Sequence, residues 1–428
     1  MEQQKLIYKY KTAFCTLAYI HKTAFKLLLF DMKFLKIFSL LLISAFISCN
    51  DTSNTIAELE SIHSSLKKEF APDKRVELFD IHFENKKNTV VLTGEITHKK
   101  AFSILLDSLK KRNIIYNNEV RILPDSAVGK KIYALGNNSV INIRSKPKHS
   151  GELGTQGLLG MELKILDKKG DFYRVQTPDN YISWVDHGGI TQMTINELQQ
   201  WNKKNKIIFT PNVGSVYKDQ LKNAAIVSDI VFGGILALVK EHDSFYEVEY
   251  PDGRIGFVKK EEALLYNSWL LKNPSNANFI ETTAKTMLGT PYLWGGTSTK
   301  GMDCSGFTKM VYLMNGFVIP RDASQQVHAG KIVDQNLQFK DLEKGDLLFF
   351  GRPATKDKKQ RVTHVGIWLG NGKGEFIHAS KNVHLSSINI DQPNYDEFNK
   401  NRYLGSRRYL GIDDDLTINL KKALEIIP

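Results

Sequence analysis

Cysteine is nearly absent from this chain, whose 428 residues include only Cys15, Cys49 and Cys304. A small secreted scaffold held together by disulfides is therefore excluded, because such proteins are dense in paired cysteines. Proline (12) and glycine (30) are also too few for a collagen-like or low-complexity chain. The hydrophobic content of 42% and the charged content of 24% are those of a folded protein, and the length allows two to four domains.

The net charge of +12 is unevenly distributed along the chain. Residues 1–48 hold seven lysines and two acidic residues, so this stretch alone carries +5 and the other 380 residues carry +7. The lysine pairs of the remaining chain are scattered and do not form one stripe interleaved with aromatic residues. This pattern argues against nucleic acid as a partner.

The N-terminal stretch has the pattern of an export signal. Lys33 and Lys36 precede about a dozen apolar residues that end at Cys49, a run too short to span a bilayer. Its end, AFISC, resembles a bacterial lipoprotein cleavage box, although Phe46 replaces the usual small aliphatic residue. We predict a leader over 1–49 and an exported protein anchored to the cell envelope by lipid on Cys49. The alternative is a secreted chain without lipid, cut nearby.

If the leader is removed and Cys49 carries lipid, one thiol remains, that of Cys304. It cannot form a disulfide within the chain. A lone cysteine in an oxidising compartment is either a buried, inert residue or a nucleophile, and its surroundings must decide between them.

Two kinds of small domain are predicted after a polar tether over 50–55. Residues 56–124 read as helix, strand, strand, helix and strand, over 56–69, 76–83, 89–96, 98–112 and 119–123. This unit resembles the BON envelope domain, and we assign it to attachment or spacing because it lacks a catalytic cluster.

A β-module then occurs twice. DFYRV at 171–175 aligns with SFYEV at 244–248, and the same offset of 73 residues relates the following turn and strand. An ungapped match of about twenty residues indicates duplicated strands. The motif NIRSKP that opens the first copy resembles bacterial SH3-like domains. We predict two SH3-like barrels, over 127–190 and 205–265.

The residues around Cys304 have the pattern of a nucleophile site. Asp303 is a candidate N-cap for a helix over 305–315 that Gly316 ends. Cys304 would then lie in the first turn, where the helix dipole and unpaired N–H groups favour a thiolate. An inert cysteine would more often lie mid-helix among the apolar positions.

Two histidines lie on consecutive predicted strands, 363–369 and 375–379. A three-residue loop between the strands would set His378 directly across from His364 on the same face. A two-residue loop would oppose His364 to Ala379 and turn His378 away, unless a bulge corrected it. The paired arrangement would supply a base for the thiol and a polar group that orients this base.

The segments TPYLWGG, MDCSGF, THVGIWLG and FIHAS resemble, in order and spacing, the NlpC family of cell-wall cysteine peptidases. The resemblance implies a papain-like catalytic domain over 275–410. It also implies Cys304 as nucleophile, His364 as base and His378 as orienter in the hydrolysis of an amide of peptidoglycan stem peptides. Residues 411–428 could be a docked helix or a loose tail.

The doubled SH3-like domain is similar to one subgroup, the γ-D-glutamyl-L-diamino-acid endopeptidases, which need a free N-terminal L-alanine on the stem peptide. A buried ammonium needs carboxylates or a phenol oxygen. In the first barrel, Ser183 replaces a glycine of the subgroup's motif, and Glu162 is an alternative for the acidic partner. The resemblance implies substrate contacts from Tyr292, Trp294, Asp303, Ser305, Arg321, Asp322, Tyr181 and Glu152.

The predicted fold class is therefore multidomain α+β, with a small αββαβ domain, two SH3-like barrels and a papain-like α+β catalytic domain. Two other functions stay open: an endopeptidase or amidase acting on intact cross-linked wall, and a wall-binding adaptor without catalysis. We expect no cofactor and no metal, since the histidines and carboxylates lack ligand spacing. Membrane contact would come only through the lipid, and a monomer would suffice.

Overall fold

The computed structural model describes residues 54–87, 89–272 and 275–422. The predicted leader and Cys49 lie outside these residues. The chain forms two compact units, one with residues up to Pro72 and Phe79–Arg121, the other with Asp73–Leu78 and the chain from Ile122 onward. Within the described residues, no helix combines the length and the apolar character needed to cross a membrane.

The smaller unit packs two helices against a three-stranded antiparallel sheet. His98 precedes the second helix as its N-cap, because its Nδ1 accepts the N–H of Ala101 at 3.1 Å. Leu59, Leu92 and Leu105 are fully buried in its core. In chain order, the elements are α1 over 54–70, β1 Phe79–Lys86, β2 Thr89–Ile96, α2 Lys99–Lys111 and β3 Tyr116–Ile122.

The first strand of this unit begins three residues later than predicted, at Phe79 rather than at Val76. The residues before it are bonded to the larger unit, to which they belong. The carbonyl of Arg75 accepts the N–H of Ile182 at 2.6 Å, and that of Val76 accepts the side-chain amide of Gln176 at 3.0 Å.

Two seven-stranded sheets follow, which we name the first and second β-modules. In both, the strands have the same spatial order, and the strands β8 and β15, like β9 and β16, start 73 residues apart. The first consists of β4 Tyr133–Gly136, β5 Val140–Arg144, β6 Leu153–Leu158, β7 Glu162–Lys169, β8 Phe172–Gln176, β9 Ile182–Asp186 and β10 Ile190–Met193. After α3 (Ile195–Lys203), the second consists of β11 Lys206–Phe209, β12 Val213–Tyr217, β13 Ile226–Val231, β14 Ile235–Glu241, β15 Phe245–Glu249, β16 Ile255–Lys259 and β17 Ala263–Leu265.

The C-terminal region packs helices against a six-stranded sheet whose order is β21-β26-β22-β23-β24-β25. Its helices are α4 Tyr266–Lys272, α5 Ala277–Thr286, α6 Cys304–Leu313, α7 Ala323–Gln326 and α8 Glu397–Lys400. Its strands are β18 Thr297–Ser298, β19 Gly301–Met302, β20 Phe317–Val318, β21 Lys331–Val333, β22 Leu347–Arg352, β23 Arg361–Trp368, β24 Glu375–Ala379, β25 Val383–Ser387, β26 Tyr403–Arg408 and β27 Ile418–Asn419.

One hydrophobic core joins this region to both β-modules. Leu158 of the first module and Phe232 of the second pack in the same cluster as Phe307 and Met310 of α6. Burial of apolar surface across these boundaries fixes the modules against the C-terminal region. The described part of the tail is docked rather than loose, since β27 pairs with β20.

Candidate active site

Helix α6 begins at Cys304, as its cap predicts. Asp303 precedes the helix, and its Oδ1 accepts the N–H of Gly306 at 2.7 Å. The apolar positions of the helix, among them Phe307 and Val311, are buried. The thiol is therefore carried on the first turn of a helix anchored in the core.

A buried guanidinium holds this cap in place. Arg321, 1% exposed, donates from Nη2 to Asp303 Oδ2 at 2.6 Å and from Nη1 to Oδ1 at 3.1 Å. Arg321 also donates to Ser305 Oγ at 3.0 Å, and Gly295 N–H donates to Asp303 Oδ2 at 3.0 Å. Asp303, Ser305 and Arg321 all line the cleft, but their polar atoms are largely engaged with one another, so we assign them to support of the helix start.

The thiol of Cys304 lies at the floor of a cleft of about 710 Å³ and is 7% exposed. Burial, assisted by the charge of Asp303, raises its pKa to about 12, and the N–H groups of Val365 and Ser305 only partly oppose this. Burial thus opposes the thiolate that the position at the helix start was expected to favour, because the sulfur is almost fully enclosed.

The two histidines lie on one face of the sheet, but in neither of the two registers considered from the sequence. Ile367 pairs with Ile377, which sets His378 opposite Gly366, two positions along from His364. The connection is a five-residue loop, 370–374, between Leu369 and its partner at 375. A shift of two residues preserves the face, so the rings still meet.

The imidazoles form a short polar chain that ends on a serine. His364 Nε2 and His378 Nδ1 are 2.7 Å apart, and His378 Nε2 is 3.0 Å from Ser386 Oγ. For Nδ1 of His364 to be a base, its Nε2 must carry the proton and donate to His378, whose Nε2 then donates to Ser386. Sequence reasoning missed Ser386, since a lone strand serine gives no signal.

Burial lowers the pKa of both histidines, that of His364 to about 4 and that of His378 well below its ordinary value. Burial thus favours a neutral thiol and a neutral imidazole in the free site. The sulfur accepts a hydrogen bond from the backbone N–H of Val365, the residue after His364. Among the described contacts, no hydrogen bond joins the sulfur to His364. Such contacts often tighten only when substrate is bound.

We expect alkylation of Cys304 by iodoacetamide to show this neutral state. With a thiol pKa well above 9, the thiolate fraction and hence the alkylation rate should rise about tenfold per pH unit between pH 7 and 9. Peptide mass mapping at timed intervals would give the rate for this cysteine alone. A rate that is constant from pH 5 to 8 would instead indicate a standing thiolate–imidazolium pair.

Aromatic side chains and a carboxylate form one wall of the cleft. Trp294 is 65% exposed, and its Nε1 donates to Glu152 Oε1 at 2.8 Å. Burial, with the nearby Cys304, raises the pKa of Tyr292 above its ordinary value. Of the two candidate acids, the structure places Glu152 in the cleft, whereas Glu162 lies on β7 outside it.

The far end of the cleft holds a tyrosine and a second carboxylate. Burial and then the charge of Asp322 raise the pKa of Tyr181 to about 12. Asp322 Oδ2 accepts Arg75 Nη1 at 2.7 Å, and Asp73 fixes the same guanidinium at 2.6 Å. Ser183, the departure from the motif, is a buried strand residue bonded to the carbonyl of Arg144 at 2.5 Å.

Hydrogen bonds and a close backbone approach fix the first β-module at the cleft. The side chain and backbone of Gln156 make four hydrogen bonds to β18, among them Thr297 N–H to Oε1 at 3.0 Å. Gly295 has φ +79°, and a Cβ there would lie 2.2 Å from the carbonyl oxygen of Leu153. Glycine is therefore required where the catalytic loop meets β6.

A buried ion pair anchors the loop before Tyr181 to α6. Lys309 Nζ lies 2.7 Å from Asp179 Oδ2, and both side chains are less than a tenth exposed. Burial lowers the pKa of Lys309 despite this partner. Neither residue was selected from the sequence, since they are far apart along the chain.

Replacing Asp179 with asparagine should destabilise the fold by about 3–5 kcal/mol, because a buried cation loses its partner. The loss should be smaller at pH 9 than at pH 6, since Lys309 with a lowered pKa can shed its proton as the pH rises. Thermal unfolding of the variant would measure this. The matched control is Glu249→Gln, which breaks the more exposed pair with Lys204 and should cost about 1 kcal/mol or less. Equal effects of the two substitutions would contradict the assignment.

No metal site is evident in the described part of the chain, where no three His, Cys, Asp or Glu side chains are grouped to hold an ion.

Residues 289–408 match the NlpC/P60 family, and residues 143–190 match the bacterial dipeptidyl-peptidase Sh3 domain. The chain is 33% identical over 275 residues to a Bacillus cereus gamma-D-glutamyl-L-lysine dipeptidyl-peptidase, covering 61% of this chain and 77% of that protein. A Bacillus subtilis protein of the same name is 28% identical over 235 residues, covering 53% and 72%. Dipeptidyl-peptidase 6 of Lysinibacillus sphaericus is 26% identical over 274 residues, covering 59% and 91%.

Among solved structures, the crystal structure of an NlpC/P60 family protein from Bacillus cereus superposes with a TM-score of 0.54 at 28% identity. The superposition covers 65% of this chain and 99% of that one. The similarity therefore extends beyond the catalytic region.

Proposed function

This chain belongs to the NlpC/P60 family of cysteine peptidases, and on that premise we propose that it cleaves peptidoglycan stem peptides between γ-D-glutamate and the diamino acid. The proposed substrate has a free N-terminal L-alanine. The observation that carries the proposal is a cleft with a thiol at its floor and carboxylates at its end. The names of the two Bacillus relatives, gamma-D-glutamyl-L-lysine dipeptidyl-peptidase, support a bond of this type.

The cleft offers oxygen atoms for an ammonium. Glu152 uses Oε1 for Trp294, which leaves its Oε2 for substrate, whereas Asp322 accepts Arg75 at Oδ2 and its Oδ1 lies 3.8 Å from Arg321 Nη1. The Tyr181 hydroxyl lies beside them. Three acidic side chains, Glu152, Asp303 and Asp322, line the cleft together with three basic ones, Arg75, Arg321 and Arg361. A carboxylate oxygen or a phenol oxygen in the cleft can accept hydrogen bonds from a cationic group.

In the proposed reaction, Cys304 Sγ attacks the γ-carbonyl carbon while its proton passes to Nδ1 of His364. The amide bond breaks, the imidazolium gives its proton to the departing nitrogen, and a thioester remains. His364 then takes a proton from water, which attacks the thioester and releases L-Ala-γ-D-Glu and the free thiol. His378 and Ser386 keep His364 in the tautomer that this requires.

The test is incubation of the purified protein with L-Ala-γ-D-Glu-meso-diaminopimelate, followed by mass spectrometry. We expect two products, the dipeptide L-Ala-γ-D-Glu and free diaminopimelate. Products that also form with Cys304→Ala, or an intact tripeptide after prolonged incubation with the wild-type protein, would refute the proposal.

We further propose that the protein acts in the cell envelope, where its substrate arises. The lipid on Cys49 stays a prediction outside the described residues. The mass of the mature N-terminus, purified from membranes of the native host, would test it.

A further inference from the structure

A second cavity of about 820 Å³ is lined by His364, the proposed base, and shares no lining residue with the cleft that contains Cys304. The neighbours Thr363 and His364 line different cavities: Thr363 lines the cleft with Cys304, whereas His364 lines the second cavity. The two cavities therefore meet at β23, beside the reacting groups.

The chemistry of the proposed reaction assigns an occupant to each cavity. His364 must protonate the departing nitrogen, so the leaving group has to lie against this imidazole. The acyl part, with its ammonium, extends into the cleft that contains Glu152 and Asp322. The cavity lined by His364 is then left for the diamino acid, an assignment that rests on the proposed function.

Arg402 is the most conspicuous polar group of this cavity. Its Nη2 makes one long hydrogen bond, to Thr363 Oγ1 at 3.3 Å, and its guanidinium carbon lies 4.4 Å from the ring centroid of Phe398. Its Nε is buried and, among the described residues, has no hydrogen-bond partner. Burial lowers the pKa of Arg402, and the carboxylate of Asp396 opposes this shift. The guanidinium is also within electrostatic range of His364, since after burial its charge contributes to the lowered pKa of that imidazole. Guanidinium groups with free donors bind carboxylates well.

The rest of the lining carries both signs of charge and an exposed ring. Lys381 adds a cation, and Asp396 and Glu397 add anions. Asp396 is fixed, since its two oxygens accept the backbone N–H and side-chain amide of Asn399 at 2.9 and 2.6 Å. Phe398 is 69% exposed at the mouth of the cavity. A mixed lining of this kind suits a ligand group that carries an ammonium and a carboxylate on a short apolar chain.

We propose that this cavity binds the distal centre of a diaminopimelate-type residue, and that Arg402 pairs with the distal carboxylate. Lysine has an ammonium at that position and no carboxylate, so it leaves Arg402 without a partner. The relatives named above are described for L-lysine, and we infer that this chain prefers the diacid. Arg402 is thus a specificity-determining residue of the leaving-group side.

The test compares kcat/KM for two tripeptides, L-Ala-γ-D-Glu-meso-diaminopimelate and L-Ala-γ-D-Glu-L-lysine. We expect the wild-type protein to favour the first by about tenfold or more, since a charge-assisted hydrogen bond is at stake. Arg402→Gln should lower kcat/KM for the diaminopimelate substrate far more than for the lysine substrate and bring the ratio to within about twofold of one. Arg402→Lys should retain part of the preference.

Lys400→Met is the matched control, because it removes a nearby cation that does not line the cavity, and it should leave the ratio unchanged. Equal kcat/KM of the wild-type protein for the two tripeptides would overturn this inference but not the proposed function. An equal fall of kcat/KM for both tripeptides in Arg402→Gln would do the same. Cleavage of neither tripeptide would overturn the proposed function and this inference with it.

Discussion

Replacing Cys304 with alanine should lower kcat for tripeptide cleavage by about 10⁴-fold or more, because no other described group in the cleft can form the thioester. The side chain lies at the first turn of α6, and its removal leaves Asp303, Arg321 and the helix cap intact. The residual rate is measured by incubating the tripeptide with a high concentration of the variant and monitoring the released diamino acid by mass spectrometry.

The fold of this variant is checked by thermal unfolding, which should change little, since the side chain removed is small and borders the cleft. His378→Asn serves as a graded comparison, because it removes the orienting ring without touching the thiol. Cleavage by Cys304→Ala at more than a hundredth of the wild-type rate would contradict the assigned nucleophile.

The second large effect is expected from the carboxylates at the end of the cleft. Glu152→Gln and Asp322→Asn should each lower kcat/KM for the free-amine tripeptide by about 10²-fold, because a desolvated ammonium loses a charged partner. Steady-state kinetics over a range of tripeptide concentrations would measure the loss.

Glu162→Gln is the matched control for these variants, since Glu162 lies on β7 of the same module but outside the cleft. It should leave kcat/KM within about twofold of wild type, as surface substitutions usually do. If Glu162→Gln impaired cleavage as much as Glu152→Gln, the assignment of Glu152 as the partner of the substrate amine would be wrong.

Local patterns were sufficient to predict the elements that carry the catalytic residues. The cap at Asp303 and the alternation over 375–379 depend on neighbours in sequence, and the structure confirms α6 and β24. The pairing register was wrong by two residues, because it depends on the length of the 370–374 loop and sequence allowed several lengths. Because the register differs by an even number of residues, both histidines still lie on the same face of the sheet.

Features that depend on distant residues could not be predicted. The burial that raises the pKa of Cys304 comes from elements spread over the C-terminal region, and the cap alone suggested a shift in the opposite direction. Arg75 lies 247 residues from Asp322 along the chain, yet their ion pair is 2.7 Å long. The resemblance favoured Glu152 but left Glu162 as an alternative, and only the folded module shows that Glu152 lines the cleft while Glu162 does not.

The most direct test of an amine-reading peptidase is a competition between two tripeptides in one reaction. The pair is L-Ala-γ-D-Glu-diaminopimelate with its N-terminal amine free and the same peptide with that amine acetylated, followed by mass spectrometry. Loss of the positive charge should slow cleavage of the acetylated peptide by at least about 10²-fold. Cleavage of both peptides at similar rates would show that the carboxylates of the cleft do not recognise the N-terminal ammonium group of the substrate.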